Sequence, residues 1–349
     1  MRAVIGWPRC IVVRVAYHQI PARGETIARG DALKTLREAL QSREFTLTAE
    51  LPLAPGQNAI TVLEQARVLA DAADAVQVPD QRHARPHMSN IAVASLLVQN
   101  HMDPVVHMNC RDRNRIALQS DLLGAQAVGI TNLLLMRGSD LPAGHLPRST
   151  NVFDLGVIDL VATAAAIRNG DALAGGQLPN VPGFYIGTVA TVFNPASGWE
   201  PEKLAAKADA GAQFIQMQLC FDTNVLREYM IRLVAAKLLW RFHVLVGLAV
   251  LPSADSARLL RKNLPDSIIP PTTVQRLEQA KDPEYEGVQI CAELLQEIAE
   301  IPGIAGANLM TPGDPATIAA AIRESGLRPD LGQQAGRDTV VGEKRNKRG

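Results

Sequence analysis

The chain has 349 residues, 47% hydrophobic and 20% charged, enough to bury a large core. Lys+Arg and Asp+Glu each number 35, so the formal net charge is +0 and no global field draws the chain to nucleic acid or an anionic membrane. Aromatic residues make up only 4%, which disfavours a stacking platform for single-stranded nucleic acid.

Residues 1–30 show no clear period and read as an extension. Pro8, Arg9 and Arg14 interrupt their apolar patch, which disfavours a secretory signal. No run approaches the roughly 20 apolar residues of a membrane helix, so a cytoplasmic protein is expected. Residues 31–43 (DALKTLREALQSR) predict an amphipathic helix. From there apolar runs alternate with helix-length stretches. FTLTAE ends on Glu50, and ITVLEQARVLADAA follows. DAVQVPD ends on Asp80, and MSNIAVASLLVQN follows. PVVHMN carries His107 and Asn109, and CRDRNRIALQSDLLGAQAVG follows. NLLLMRGSD carries Arg137 and Asp140, then a longer loop leads to DLGVIDLVATAAAIR. FYIGTVATVFN reaches Asn194, and EPEKLAAKADAGA follows, with Glu200 and Glu202 suiting a helix start. FIQMQLCFD carries Gln218 and Asp222, and TNVLREYMIRLVAAKLLW follows. HVLVGLAVLP runs to Pro252, followed by SADSARLLRKN, an inserted segment, and GVQICAELLQEIAEI. GIAGANLM carries Asn308, and TPGDPATIAAAIRESG follows. The tail from Arg328 is rich in Gly and charge and is expected to be disordered and basic at its end.

Strand–helix alternation with short turns requires parallel pairing, because each return needs a crossover. Eight such units predict an α/β fold, a closed (β/α)8 TIM barrel over residues 31–327, with an extension over 1–30 and a tail over 328–349. A doubly wound open sheet is the rival, but no G-x-G-x-x-G follows the first strand. In a barrel the polar strand ends gather at one mouth, which predicts an enzyme.

Glu50 ends an apolar run, where burial would raise its pKa and suit it to general acid work. A carboxylate paired with an arginine has the same signature. Arg137-Gly138-Ser139-Asp140 sets a cation, a glycine and a carboxylate in one turn, fit for an anionic ligand or for a surface ion pair. His107 is a candidate ligand contact or a hydrogen-bonded core histidine. Gln218 suits a planar heterocycle or a structural amide bond. CRDRNR can hold a phosphate, or pair Arg111, Asp112, Arg113 and Arg115 among themselves. Cys10, Cys110, Cys220 and Cys291 form no C-x-x-C pair, which argues against a metal cluster or a disulfide framework. Cys110 and Cys220 follow strands, as pocket-lining groups or, more in keeping with free cysteine, small core residues. With no metal spacing, Walker loop or nucleophile elbow, a cofactor is expected to carry the chemistry.

TAE, VHMNCRDRNRIALQSDLLGA, RGSD, KADAGAQFIQMQLCFD and DPEYEGVQI, in this order, resemble the 5,10-methylenetetrahydrofolate reductase family, in its bacterial branch with an N-C-R-D-R-N-R turn. The resemblance implies a barrel with non-covalent FAD that takes hydride from NADH or NADPH. It interconverts 5,10-methylenetetrahydrofolate and 5-methyltetrahydrofolate in one-carbon and methionine metabolism. It implies Glu50 as the acid that opens the folate ring, Asp140 near the flavin and pterin, and Gln218 on the pterin. Asn109 is expected beside the substrate. His107, Arg137, Gly138, Lys207 and, on the adenosine side, Asp154 are implied as flavin contacts. A homo-oligomer or a partner redox subunit is in keeping with the family. The chain departs from the family at Ser139, which separates Gly138 from Asp140, and at Ala206, where an arginine is common. A pterin-binding methyltransferase barrel and a non-catalytic folate-binding subunit are the alternatives.

Overall fold

The computed structural model describes residues 35–328 apart from 43, 82–84, 142–147, 172, 174–175 and 179–182. The extension over residues 1–30, and the tail beyond Arg328, lie outside the described residues. Eight parallel strands close into a barrel in chain order. They are β1 (Thr46–Glu50), β2 (Ala75–Val78), β3 (Pro104–Asn109) and β4 (Asn132–Met136), then β5 (Tyr185–Ala190), β6 (Phe214–Leu219), β7 (His243–Ala249) and β8 (Gly306–Met310). β1 closes the ring on β8, with Thr48 opposite Asn308.

The helices α1 (Leu36–Gln41), α2 (Ala59–Ala70), α3 (Asn90–Gln99), α4 (Arg115–Ala127) and α5 (Val157–Arg168) take the first half of the chain. The second half holds α6 (Glu202–Asp209), α7 (Thr223–Ala235), α8 (Ala254–Asn263), α9 (Pro271–Gln279), α10 (Pro283–Ala299) and α11 (Ala316–Glu324). This is the (β/α)8 architecture that the alternation predicts. Many polar residues in the turns are helix caps. Asn58, Asn114, Asp222, Ser253 and Asp282 each accept a backbone N–H from the first turn of the helix that follows. Asp222, read in the sequence as a polar strand end, is thus the cap of α7.

Two differences from the sequence reading have local causes. The described part of α1 begins only at Leu36, behind a capping box formed by Thr35 and Glu38. The helix expected over 223–240 stops at Ala235. Lys237 then adopts a left-handed conformation (φ 57°), and a 3-10 turn over Leu238–Trp240 buries Leu238.

Successive strand residues face opposite ways. Outward residues pack beneath the helices in the large core, which includes Cys110, Cys220 and Cys291. Burial pushes these thiols up to about 11, about 12 and about 12. The two cysteines that follow strands are therefore core residues. Inward residues form a smaller cluster, Ala75, Val105, Leu134, Tyr185, Phe214 and Leu245, which α1 joins through Leu36 and Leu40. This apolar floor closes the barrel interior at the strand N-termini. Tyr185 and Phe214 stack there with ring centroids 5.3 Å apart. No helix among the described residues is long and apolar enough to cross a membrane.

Candidate active site at the barrel mouth

One step above the floor the interior turns polar. Thr48, Gln77, His107, Gln216 and Asn308 are all buried, on five different strands. A buried amide without a partner is costly, so these groups are expected to bond to one another. Their hydrogen bonds join all five, with the Gln216 and Asn308 oxygens as acceptors. Gln77 Nε2 donates to Thr48 Oγ1 at 2.9 Å and to Gln216 Oε1 at 2.6 Å. His107 Nε2 lies 2.8 Å from Gln77 Oε1. The Thr48 hydroxyl donates to Asn308 Oδ1 at 2.9 Å. The backbone carbonyl of His107 accepts from Asn90 Nδ2, at the start of α3, at 2.6 Å.

The next interior layer carries Glu50 and Asn109. Glu50 ends β1 opposite Gln77 and is 7% exposed. Asn109, also buried, gives both its backbone N–H and its Nδ2 to Asp80 Oδ2, at 2.9 and 2.7 Å. Arg113 pairs with the same Asp80 oxygen and reaches Asp121 at 2.8 Å. Burial pushes the Asp80 carboxyl up, against the Arg113 charge and the N–H groups of Asn109 and Gln81. Gln218 is half-buried near the end of β6, where the pairing with β7 shifts register between Gln216 and Leu219. Its neighbours Met217 and Leu219 pack outward in the large core, which leaves Gln218 toward the interior.

Arg111 is buried and holds the β2, β3 and β4 turns together. Its Nε donates to Asp112 at 2.7 Å, and its terminal nitrogens reach Gln81 O at 2.8 Å and Ser139 O at 3.4 Å. Within CRDRNR, Arg111 pairs with Asp112, while Arg113 pairs outside the segment with Asp80 and Asp121. Gly138 (φ +82°) lies against this turn, and a Cβ there would come within 3.2 Å of the Cβ atoms of Arg111 and Asn109. The left-handed backbone favours glycine there, and the close approach adds to it.

The remaining candidates stand at the rim. Arg137 and Asp140 pair at 3.3 Å, with side chains 54% and 64% exposed. The Arg137 guanidinium carbon lies 4.0 Å from the centroid of the Phe153 ring. Asp154 accepts the backbone N–H of Arg115 at 2.7 Å, at the start of α4. Lys207 Nζ donates to Val189 O, near the end of β5, at 2.6 Å. Burial lowers the pKa of this ammonium, and no carboxylate among the described residues pairs with it. Glu50, His107, Asn109 and Gln218 therefore face the barrel interior, while Arg137, Asp140, Asp154 and Lys207 ring it.

A profile of the family described as Methylenetetrahydrofolate reductase matches residues 35–321, nearly the whole described barrel. The chain belongs to the methylenetetrahydrofolate reductase family. No curated protein matches it. Among solved structures it is similar to a Clostridium thermocellum protein titled as uncharacterized and binding two copies of 5-methyl-5,6,7,8-tetrahydrofolic acid. That likeness has a TM-score of 0.57 at 13% identity and covers 83% of this chain and 97% of the other, which establishes the shared fold. Within this reductase-family barrel, the sequence reading missed Thr48, Gln77 and Gln216. Thr48 and Gln216 each stand two residues before a polar residue it had noted (Glu50 and Gln218), and Gln77 stands three before Asp80. Strand alternation places Thr48 on the inward face with Glu50.

Proposed function

We propose that this barrel interconverts 5,10-methylenetetrahydrofolate and 5-methyltetrahydrofolate, with NADH or NADPH as the electron source and FAD as the hydride relay. The observation that carries the reading is the family match across the barrel, with a buried acid, Glu50, inside its mouth. The folate bound by the Clostridium thermocellum protein supports the choice of ligand. A planar pterin suits a mouth lined by amides, where Gln218 supplies a donor and an acceptor to its edge. Asn109 instead spends its amide on Asp80, Asp112 and the backbone N–H groups of Arg111 and Asp112, and holds the turn beside the substrate. Glu50 is assigned the proton that opens the folate's five-membered ring to the reactive iminium. Asp140 is assigned the electrostatic stabilisation of that cation, which Arg137 must yield or share.

The residues present fit a dinucleotide cofactor at one point above all. A half-buried ammonium with no carboxylate partner among the described residues, Lys207, is what a phosphate would neutralise. His107, Arg137, Gly138 and Asp154 are the further residues assigned to it. When bound, a flavin would carry hydride between the nicotinamide and the folate.

The test is an absorption spectrum of the purified protein, then anaerobic titration with NADH and with methylenetetrahydrofolate. Bleaching of a flavin band by the first and recovery with the second are expected. A colourless protein that transfers a methyl group from 5-methyltetrahydrofolate would overturn the reading in favour of a methyltransferase, and folate binding without turnover in favour of a binding subunit. Glu50→Gln is expected to abolish folate turnover and leave reduction by NADH intact. If both half-reactions survive unchanged, Glu50 is not the acid.

A further inference from the structure

The five side chains of the polar layer form one hydrogen-bonded chain, and their chemistry restricts where its protons sit. Gln77, fully buried, stands at the centre. Its Nε2 gives one proton to Thr48 Oγ1 and the other to Gln216 Oε1. Gln77 Oε1, facing His107 Nε2 at 2.8 Å, can only accept. His107 Nε2 must therefore carry a proton. In the neutral ring Nδ1 then bears a lone pair, so whatever stands opposite Nδ1 must donate. Thr48 uses its single proton on Asn308 Oδ1. The oxygens of Gln216 and Asn308 are thus both taken up as acceptors, which orients both amides. Among the described residues neither amide nitrogen has an acceptor.

We propose that Gln77 is a positioning residue that sets the proton order of this layer. It holds His107 as the Nε2–H tautomer, and with Thr48 it leaves Gln216 and Asn308 offering N–H groups to a bound ring. A ring read by this layer carries acceptors, carbonyl oxygen or ring nitrogen, opposite the two amides. The ring-binding half rests on the function proposed above. The tautomer does not.

The first experiment needs no ligand. Long-range proton–nitrogen correlation spectra of the full chain with 15N-labelled histidine report each ring's tautomer, and His107→Gln identifies the His107 signals. A neutral ring protonated at Nε2 is expected. A ring protonated at Nδ1 overturns the proposal, because it requires the opposite order with every amide turned over. Gln77→Met removes the acceptor at similar volume and should give a mixture of tautomers, while Gln77→Glu keeps an acceptor and should restore Nε2–H. An unmixed Nε2–H ring in Gln77→Met shows that Gln77 does not set it. In the second experiment Gln216→Met should weaken binding of 5-methyltetrahydrofolate about tenfold, the worth of one well-placed hydrogen bond. Unchanged affinity overturns the donor role. Failure of the spectra leaves the folate reading standing, and failure of the natural protein to bind folate leaves the tautomer standing.

Discussion

Asp80 illustrates how a polar strand end can serve structure and site together. Its side chain is 7% exposed and meets Arg113, which is 18% exposed, so the pair is largely removed from water. Such a pair adds little net stability while intact, but losing one partner strands the other charge. Asp80→Ala should therefore cost about 3 kcal/mol, read by urea denaturation, even though Arg113 keeps Asp121. Asp80→Ala with Arg113→Met should recover most of it, and a cost that stays unchanged in the pair would show that Asn109, not Arg113, depends on Asp80. His243 carries a pH dependence of definite sign. Burial holds its ring below the ordinary value of 6.5, and its Nδ1 lies 2.8 Å from the Tyr185 hydroxyl. The unfolded chain takes up the proton first on acidification. This contribution to stability is present above pH 6.5 and is lost as pH falls through the lower folded-state value. His243→Gln keeps an acceptor for Tyr185 and does not titrate. Its stability relative to the natural protein should improve as pH falls below 6.5, and a pH-independent difference would remove His243 as the cause.

At the scale of elements, two glycines mark where strands and side chains crowd the barrel. A Cβ on Gly187 of β5 would lie 2.1 Å from the Phe214 ring, and one on Gly306 of β8 would lie 2.0 Å from the Thr46 carbonyl oxygen. Both alanine variants should be destabilised by about 3 kcal/mol or more, as overpacking of a close-packed interior. They differ in rescue. Phe214→Leu gives the Gly187→Ala methyl room, so that double variant should regain stability in thermal melts. The obstacle at Gly306 is backbone of the neighbouring strand, and no side-chain change relieves it. Equal rescue at both sites would mean that the barrel deforms more readily than its packing implies. The elements themselves were legible because their periods differ. PVVHMN is β3 as it stands, and the helices around it follow the apolar repeat of 3.6. The end of α7 was not legible, because Lys237 takes a left-handed conformation that the sequence usually marks with glycine.

For the whole molecule, the two ends of the barrel divide the work. The strand N-termini are sealed by apolar packing, and the strand C-termini carry the polar site. Local sequence exposed the second end better than the first. Glu50, Asn109 and Gln218 interrupt apolar runs, and such interruptions show in one dimension. The floor shows no such break, because Val105, Leu134 and Leu245 read like any other strand residues. Which of them meet, and that α1 covers them, follows only from closing the ring. The links between Gln77, His107 and Gln216 span 30 and 139 residues, so no local pattern contains them. The division also makes a prediction. Leu40, 4% exposed, packs with Leu36 beneath the barrel, so Leu40→Ala should cost about 3 kcal/mol through the cavity it leaves. The hydrogen-bonded polar layer lies between that cavity and the mouth. On the function proposed above, affinity for 5-methyltetrahydrofolate, measured by calorimetry where the variant remains folded, should therefore stay at the natural value. A parallel fall in stability and affinity would show instead that the floor supports the mouth through the polar layer, and that the two ends cannot be altered independently.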